Sequence, residues 1–243
     1  GITGIGQWAF YSFVELKTVE MADSVTCIKD GSFIFCMNLT SVKLSANIQS
    51  IEGEAFYACE KLEHLRLPYT LKTLGTLGAC LKLKEITIPD SVSKTNKNLF
   101  YECTSLSKIK LPKGMKEIKP RDFANCKNLS TLEIPEAVTT VSMSAFSGTK
   151  LKKITLPKNV TTIKKRMPYG GKVFAVNNDF DLPTKNLRLI EIKSKKVKSI
   201  AKGSFSGLSS KVVIKVPKSR KKKYTKMLRE SGLEKKVKIR TLG

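Results

Sequence analysis

A phenylalanine followed three positions later by a cysteine returns along this chain about every 23 residues, with apolar residues at fixed places between. A fixed period in the twenties is typical of a solenoid, in which each coil buries its apolar face against its neighbours. Leu77 and Cys80 take these positions in one repeat, and Phe10 and Phe146 extend the series at its ends. The complete pairs are Phe33 with Cys36, Phe56 with Cys59, Phe100 with Cys103, and Phe123 with Cys126.

Downstream of each phenylalanine, two apolar residues two positions apart predict a β-strand. Leu65 and Leu67 share one face of such a strand, while His64 and Arg66 point the other way. A proline follows five of these pairs, at Pro68, Pro89, Pro112, Pro135 and Pro157, and because proline cannot donate to a continuing ladder, it fits where the chain leaves the sheet. A second apolar pair at V-x-x-I spacing predicts a shorter extended segment on the return side of each coil.

The combined pattern, AF-x-x-C-x-x-L-x-x-I-x-I-P-x-x-V-x-x-I, resembles the BspA-like, or Treponema-type, leucine-rich repeats of bacterial surface proteins. The resemblance covers residues 1–217 and implies a leucine-rich repeat solenoid of about nine coils. It implies parallel β-strands lining a concave face, with short extended return segments and turns. Members of that family are mostly adhesins, so the resemblance also implies a secreted or cell-surface location.

The repeat is broken at three places. Leu77 follows the preceding phenylalanine by 21 residues instead of 23, so that coil is two residues short. Residues 93–98 replace the apolar return pair with Thr95 and leave a polar notch. Two insertions near 164–187 flank Phe174, and such insertions map to loops on one face, often a functional one. The alternative is a surface loop that is merely tolerated, since lengthening a loop costs little entropy.

Residues 218–243 predict a basic helix-strand cap that covers the last coil. Ser219 is the predicted N-cap of the helix and Gly232 its C-terminal stop. Val237 and Ile239 alternate as a short strand. The apolar stripe of the helix consists of Tyr224, Met227 and Leu228. No equivalent unit precedes the first repeat, and the chain begins in mid-repeat without a signal peptide, so we expect it to be part of a longer protein.

Residues that point outward from the predicted strands are candidates for ligand contact on the concave face. The set is mixed in charge and has no aromatic stripe, and only Arg66 is typical of the anchors of protein interfaces. The alternative is a solvated polar face. The candidates are Lys43, His64, Arg66, Glu85, Lys108, Lys110, Glu133 and Lys153.

The whole chain has a net charge of +25, and most of this positive charge is concentrated in its last part. Residues 1–149 contain 17 Lys and Arg against 15 Asp and Glu, whereas residues 150–243 contain 28 against 5. A field of one sign concentrates anionic partners, and the alternative is a solubilising surface. The candidates for polyanion binding are Lys164, Lys165, Arg166, Arg220, Lys221, Lys222 and Lys223.

Anionic polysaccharides, such as glycosaminoglycans or wall polymers, fit this charge better than nucleic acid does. Binding of single strands usually combines a basic groove with aromatic stacking platforms, and this region has few aromatic residues. No helix-turn-helix, zinc-finger or RNA-recognition motif is present, so no specific nucleic acid is expected. No apolar run reaches the length of a membrane span.

Catalytic and metal chemistry find little support. His64 is the only histidine, and Cys59, though close in sequence, points inward. Cysteines stacked on successive coils have parallel Cα–Cβ directions, so we expect free buried thiols rather than disulfides. Asp179 and Asp181 have too few oxygen ligands nearby to predict calcium. The sequence therefore predicts no enzyme and no cofactor.

Three hypotheses remain open. In the first, the concave face of a monomer binds a host or bacterial protein or glycan. In the second, the basic C-terminal third attaches a larger protein to an anionic polymer and the repeats are scaffold. In the third, the solenoid is a passive spacer without a ligand. Raised salt separates the first two, because contacts to phosphate or sulfate weaken steeply as salt rises.

Overall fold

The computed structural model describes residues 1–164 and 186–243, and these form a solenoid of about nine turns. Every strand pairing in the described part is parallel. Ile28 lies beside Ile5 of the coil before it and Ile51 of the coil after it. The predicted parallel solenoid is therefore confirmed, and the insertions and Phe174 lie largely outside the described residues.

One side of the solenoid, which we call the return face, consists of the strands that carry the V-x-x-I pairs. Its first sheet contains Gly4–Ile5, Cys27–Ile28, Ser50–Ile51, Thr73–Leu74 and Lys94–Thr95. Its second sheet contains Glu117–Ile118, Thr140–Ser142, Thr162–Lys164 and Ser199–Ile200. The first sheet thus ends at the predicted polar notch. There the ammonium group of Lys119 donates a hydrogen bond to the carbonyl oxygen of Thr95.

The other side, which we call the primary face, carries the strands of the L-x-I pairs. Two of its sheets have two strands each: Thr18–Glu20 with Ser41–Lys43, and Glu85–Thr87 with Lys108–Lys110. A third contains Lys153–Leu156, Leu189–Ile192, Val213–Val216 and Lys238–Thr241. The ladder is therefore interrupted twice, at residues 64–67 and at residues 131–134.

The phenylalanines stack on one another through the interior. Ring centroids are 5.1 Å apart between Phe10 and Phe33 and 5.2 Å apart between Phe33 and Phe56, with nearly parallel planes. A second stack joins Phe100, Phe123 and Phe146, with centroids 6.1 and 6.2 Å apart. Leu77, which is fully buried, occupies the place between the two stacks. Stacked rings of this kind are favourable beyond the area that they bury.

The cysteines tie each turn to the coil before it. The thiol of Cys59 donates to the carbonyl oxygen of Phe33 at 3.2 Å, and that of Cys126 to the carbonyl oxygen of Phe100 at 3.1 Å. All six cysteines are free, as predicted. Five are buried, and burial raises the pKa of Cys80 to about 12. These residues therefore act as donors as well as small apolar groups.

A helix at Lys221–Glu230 covers the last coils, preceded by a 3₁₀ turn at Lys218–Arg220. The predicted N-cap is wrong: Ser219 lies inside the 3₁₀ turn, and Arg220 is the N-cap residue without a side-chain cap bond. The predicted stop is confirmed, because Gly232 has a φ of +94°, a left-handed conformation that favours glycine. A further 3₁₀ helix lies at Met143–Phe146.

The cap is joined to the solenoid by a buried tyrosine and a strand. The hydroxyl of Tyr224 donates to the carbonyl oxygen of Ser194 at 3.1 Å and accepts from the amide of Val197 at 2.9 Å. The strand Lys238–Thr241 pairs with Val213–Val216 and continues the ladder of the primary face. The final strand thus occupies the place of one more coil.

Replacing Phe123 with Ala should lower the free energy of unfolding by about 3–5 kcal/mol, as for other fully buried phenylalanines. The ring is fully buried and stacks on both neighbours. Urea denaturation measures the change. Tyr69→Ala, at a side chain that is 83% exposed, is the matched control and should cost under about 1 kcal/mol. A cost under about 1 kcal/mol for Phe123→Ala would show that the core is misplaced.

Thiol titration of the native protein should detect one reactive cysteine, Cys27, which is only half-buried. The other five are buried and hydrogen-bonded, and their raised pKa values keep them protonated at neutral pH. After denaturation, the titration should detect all six thiols. A count below six in denaturant without reductant would mean that a disulfide forms.

Asp122 should make stability depend on pH. Burial raises its pKa to about 7, although the amides of Lys119 and Leu99 donate to its carboxyl group at 2.7 and 3.3 Å. Because this folded-state pKa lies above the unfolded value of about 3.9, the group binds more protons in the folded protein between these values. Its contribution to stability is complete below about pH 4 and is lost as pH rises through 7.

Urea denaturation from pH 4 to pH 8, compared with Asp122→Asn, checks this expectation. As pH rises, the unfolding free energy of the wild type should fall relative to that of the variant. A difference between the two free energies that stays constant, or a wild type that gains stability relative to the variant as pH rises, would contradict this expectation.

Candidate binding surface

The eight residues predicted to contact a ligand are all exposed on the primary face. Strand alternation places them there. Val42 is buried between exposed Ser41 and Lys43, and Leu65 is buried between exposed His64 and Arg66. The predicted orientation of these side chains is therefore confirmed, while their role in binding stays a prediction.

Ion pairs between neighbouring coils divide the eight residues into two groups. Four of them are paired: Lys43 with Glu20, Glu85 with Lys108 at 3.6 Å, and Lys153 with Glu191 at 2.9 Å. Four form no ion pair within the described residues: His64, Arg66, Lys110 and Glu133. Exposed pairs contribute only about 0–1 kcal/mol to stability, but they neutralise charge that a ligand would otherwise meet.

Three of the unpaired residues line one open groove of about 610 Å³. His64, Arg66 and Lys110 lie on its walls together with the ion pair of Glu85 and Lys108. Its floor contains the apolar residues Leu65, Leu67, Ile86 and Ile109. The cations of Arg66, Lys108 and Lys110 outnumber the one carboxylate, Glu85, so the groove is positively charged.

The groove lies where the ladder of the primary face is interrupted. Leu65 and Ile86 hold equivalent positions but are 21 residues apart, whereas Ile86 and Ile109 are 23 apart. A parallel ladder needs equivalent positions to stay in register. The coil that is two residues short thus coincides with the break, and the paired strands resume only at Glu85–Thr87.

Tyr69 lies on the same groove and was missed by the sequence analysis. Its side chain is 83% exposed, the largest exposed fraction among the large hydrophobic residues described. A signal was present, because the position after the strand-closing proline is charged in the other repeats. The equivalent residues are Asp90, Lys113, Glu136 and Lys158.

A second groove, of about 580 Å³, adjoins the first and coincides with the second break in the ladder. Its lining includes Thr131, Glu133, Glu136 and Lys193, and it shares Lys108 with the first groove. The fourth unpaired residue, Glu133, therefore lies in this groove. The two adjoining grooves differ in charge, since the second contains two carboxylates.

The residues predicted to bind polyanions do not all lie together in the described part. Arg220, Lys221, Lys222 and Lys223 are exposed at the start of the cap helix. Lys164 ends a strand of the return face and forms an ion pair of 2.6 Å with Glu117. Lys165 and Arg166 lie outside the described residues, as do Asp179 and Asp181.

Residues 1–164 and 186–243 contain no group of His, Cys, Asp and Glu side chains arranged to hold a metal ion. Within the same ranges no helix has the length and apolarity needed to cross a membrane.

A family model for the BspA type leucine rich repeat region matches residues 1–78 and 76–171, with six copies. Among curated proteins, none matches this sequence.

Solved structures of bacterial leucine-rich repeat proteins share the fold. A leucine-rich repeat protein of T. pallidum is 28% identical over 58% of this chain and 65% of its own, with a TM-score of 0.53. One from Bacteroides ovatus is 21% identical over 99% of this chain and 64% of its own, with a TM-score of 0.63. The pneumococcal vaccine antigen PcpA is 21% identical over 94% of this chain and 68% of its own, with a TM-score of 0.51. This chain thus spans about two thirds of the length of each.

Proposed function

The chain belongs to the BspA-type leucine-rich repeat family, a family of bacterial binding scaffolds, and we propose that it is an adhesion module that binds its ligand on the primary face. One observation carries the proposal. Of the eight residues predicted to contact a ligand, the four that have no ion partner within the described part all line the two grooves, where the ladder is interrupted.

The larger groove has the chemistry of an interface anchor. Arg66 presents a planar fork of donors that binds a carboxylate, sulfate or phosphate through two hydrogen bonds. Tyr69 presents a flat amphipathic ring, and tyrosine and arginine are enriched among the residues that dominate binding energy. Leu67 and Ile86 add an apolar floor. We propose a protein or glycan ligand, engaged outside the cell by a secreted or surface-bound protein that is not an enzyme.

A second candidate function is attachment to an anionic polymer through the basic C-terminal third. The charge distribution favours it, because residues 150–243 contain 28 basic against 5 acidic residues. Such a field raises the local concentration of polyanions. The two functions use different surfaces of one chain and do not exclude each other.

Binding to a panel of extracellular matrix proteins and anionic polysaccharides, at physiological and raised salt, tests the first function. We expect a ligand whose binding persists at raised salt, since the apolar floor and Tyr69 contribute to it. The double variant Arg66→Gln, Tyr69→Ala should weaken that binding by about 30-fold or more, the effect of a hot spot of at least about 2 kcal/mol.

The control is Lys61→Gln, Tyr11→Ala, which removes one positive charge and one tyrosine ring at exposed residues outside the groove. It should leave the affinity within about twofold. Equal losses in both double variants, or the absence of any ligand that resists raised salt, would contradict binding at the groove. A chain without any ligand would indicate a passive spacer.

A further inference from the structure

The end of the chain carries a positive charge that its own acidic groups do not compensate. Residues 186–243 contain nineteen Lys and Arg but only three Glu. Each of these carboxylates is already in an ion pair: Glu191 with Lys153, Glu230 with Lys226, and Glu234 with Lys236, at 2.9, 3.8 and 2.7 Å. Lys195, Lys198 and the run 220–223 are exposed and form no ion pair among the described residues.

Tyr224 brings two of the basic segments together. Its buried hydroxyl bonds to the backbone of Ser194 and Val197. That backbone belongs to a segment in which Lys195, Lys196 and Lys198 are exposed. The helix that carries Tyr224 begins with the exposed run 220–223 and also packs against the strand Ser199–Ile200. Residues far apart in sequence thus lie on neighbouring elements.

The run at the start of the helix opposes the stability of the helix. Lys221, Lys222 and Lys223 occupy the first turn, where the helix macrodipole is positive and acidic residues are favoured. The first turn contains no acidic residue, and the N-cap Arg220 makes no side-chain cap bond. Natural chains depart from such local rules mostly at functional sites. The position of these lysines is therefore better explained by what they bind than by the fold.

We propose that the run 220–223 and the exposed Lys195, Lys196 and Lys198 form one composite site for a flexible linear polyanion that bears phosphate or sulfate groups. The inference rests on the second candidate function and assigns it to particular residues. Six of the seven side chains are lysines, which act as mobile point charges and suit a repeating anion more than a single shaped ligand. Tyr224 is fully buried and offers no platform for a stacked base, which disfavours single-stranded nucleic acid.

Affinity for sodium polyphosphate and for heparin, measured on the full chain over a range of salt concentrations, tests the site. Polyphosphate and heparin distinguish phosphate from sulfate as the preferred group. The first variant changes residues 220–223 to Gln, and the second changes Lys195, Lys196 and Lys198 to Gln. The control changes four exposed lysines of the first part that have no ion pair in the described residues: Lys61, Lys72, Lys82 and Lys116.

Each site variant should lose at least about tenfold in affinity at physiological salt and should show a shallower dependence of log K on log salt, because fewer counterions are released. The control should lose less than about twofold. The melting temperature of the first variant should stay the same or rise, since the conflict with the helix macrodipole is removed. If the melting temperature of the first variant falls, the second variant, whose changes lie outside the helix, still tests the site.

Several outcomes would overturn the site. Equal losses in control and site variants would mean that binding follows total charge. An unchanged affinity in the second variant would mean that the site is not composite, and tighter binding of single-stranded DNA than of polyphosphate would contradict the ligand class. A wild-type chain that binds neither polymer at physiological salt would instead refute the second candidate function itself.

Discussion

The coupling of each phenylalanine turn to the turn before it is the constraint on which the rest of this solenoid depends. Within one turn, the ring stacks on the ring of the neighbouring coil and the cysteine thiol donates to the backbone of that same neighbour. Because both contacts need equivalent positions side by side, they hold the coils at a common spacing. The faces on either side can then vary in sequence while the interior stays in register.

The primary face shows how the surface varies while the interior stays in register. Where the strands of this face pair, opposite charges such as Glu85 and Lys108 meet across them. At the short coil, Leu77 takes the place of a ring in the interior, while the strand ladder outside is interrupted. The groove with Arg66 and Tyr69 lies at that interruption. The short coil, the interruption of the ladder and the unpaired charge of Arg66 thus occur together at this groove.

Most of the fold followed from the sequence, because solenoid coils contact only their neighbours and so express local pattern directly. The spacing of Phe33, Phe56 and Phe123 predicted the solenoid, and strand alternation placed His64 and Arg66 outward. Other features depend on contacts between coils that no single repeat reveals. The interruptions of the ladder, the exposure of Tyr69 and the pairing of Lys164 with Glu117 are of this kind. The N-cap prediction failed for a different reason. Serine is a favoured N-cap residue, but Ser219 lies inside the 3₁₀ turn that precedes the helix.

Amide hydrogen exchange of the free chain tests most directly whether an unbroken interior supports an interrupted primary face. The amides of the phenylalanine turns, such as Phe33 bonded to Ala55 and Phe123 bonded to Ala145, should exchange slowly, close to the rate of global unfolding. The amides of residues 64–67, which lie between the paired sheets, should exchange much faster than those of Glu85–Thr87 and Lys108–Lys110. Equal protection of residues 64–67 and the flanking strands would show that the ladder is continuous and would contradict the groove on which the proposed function rests.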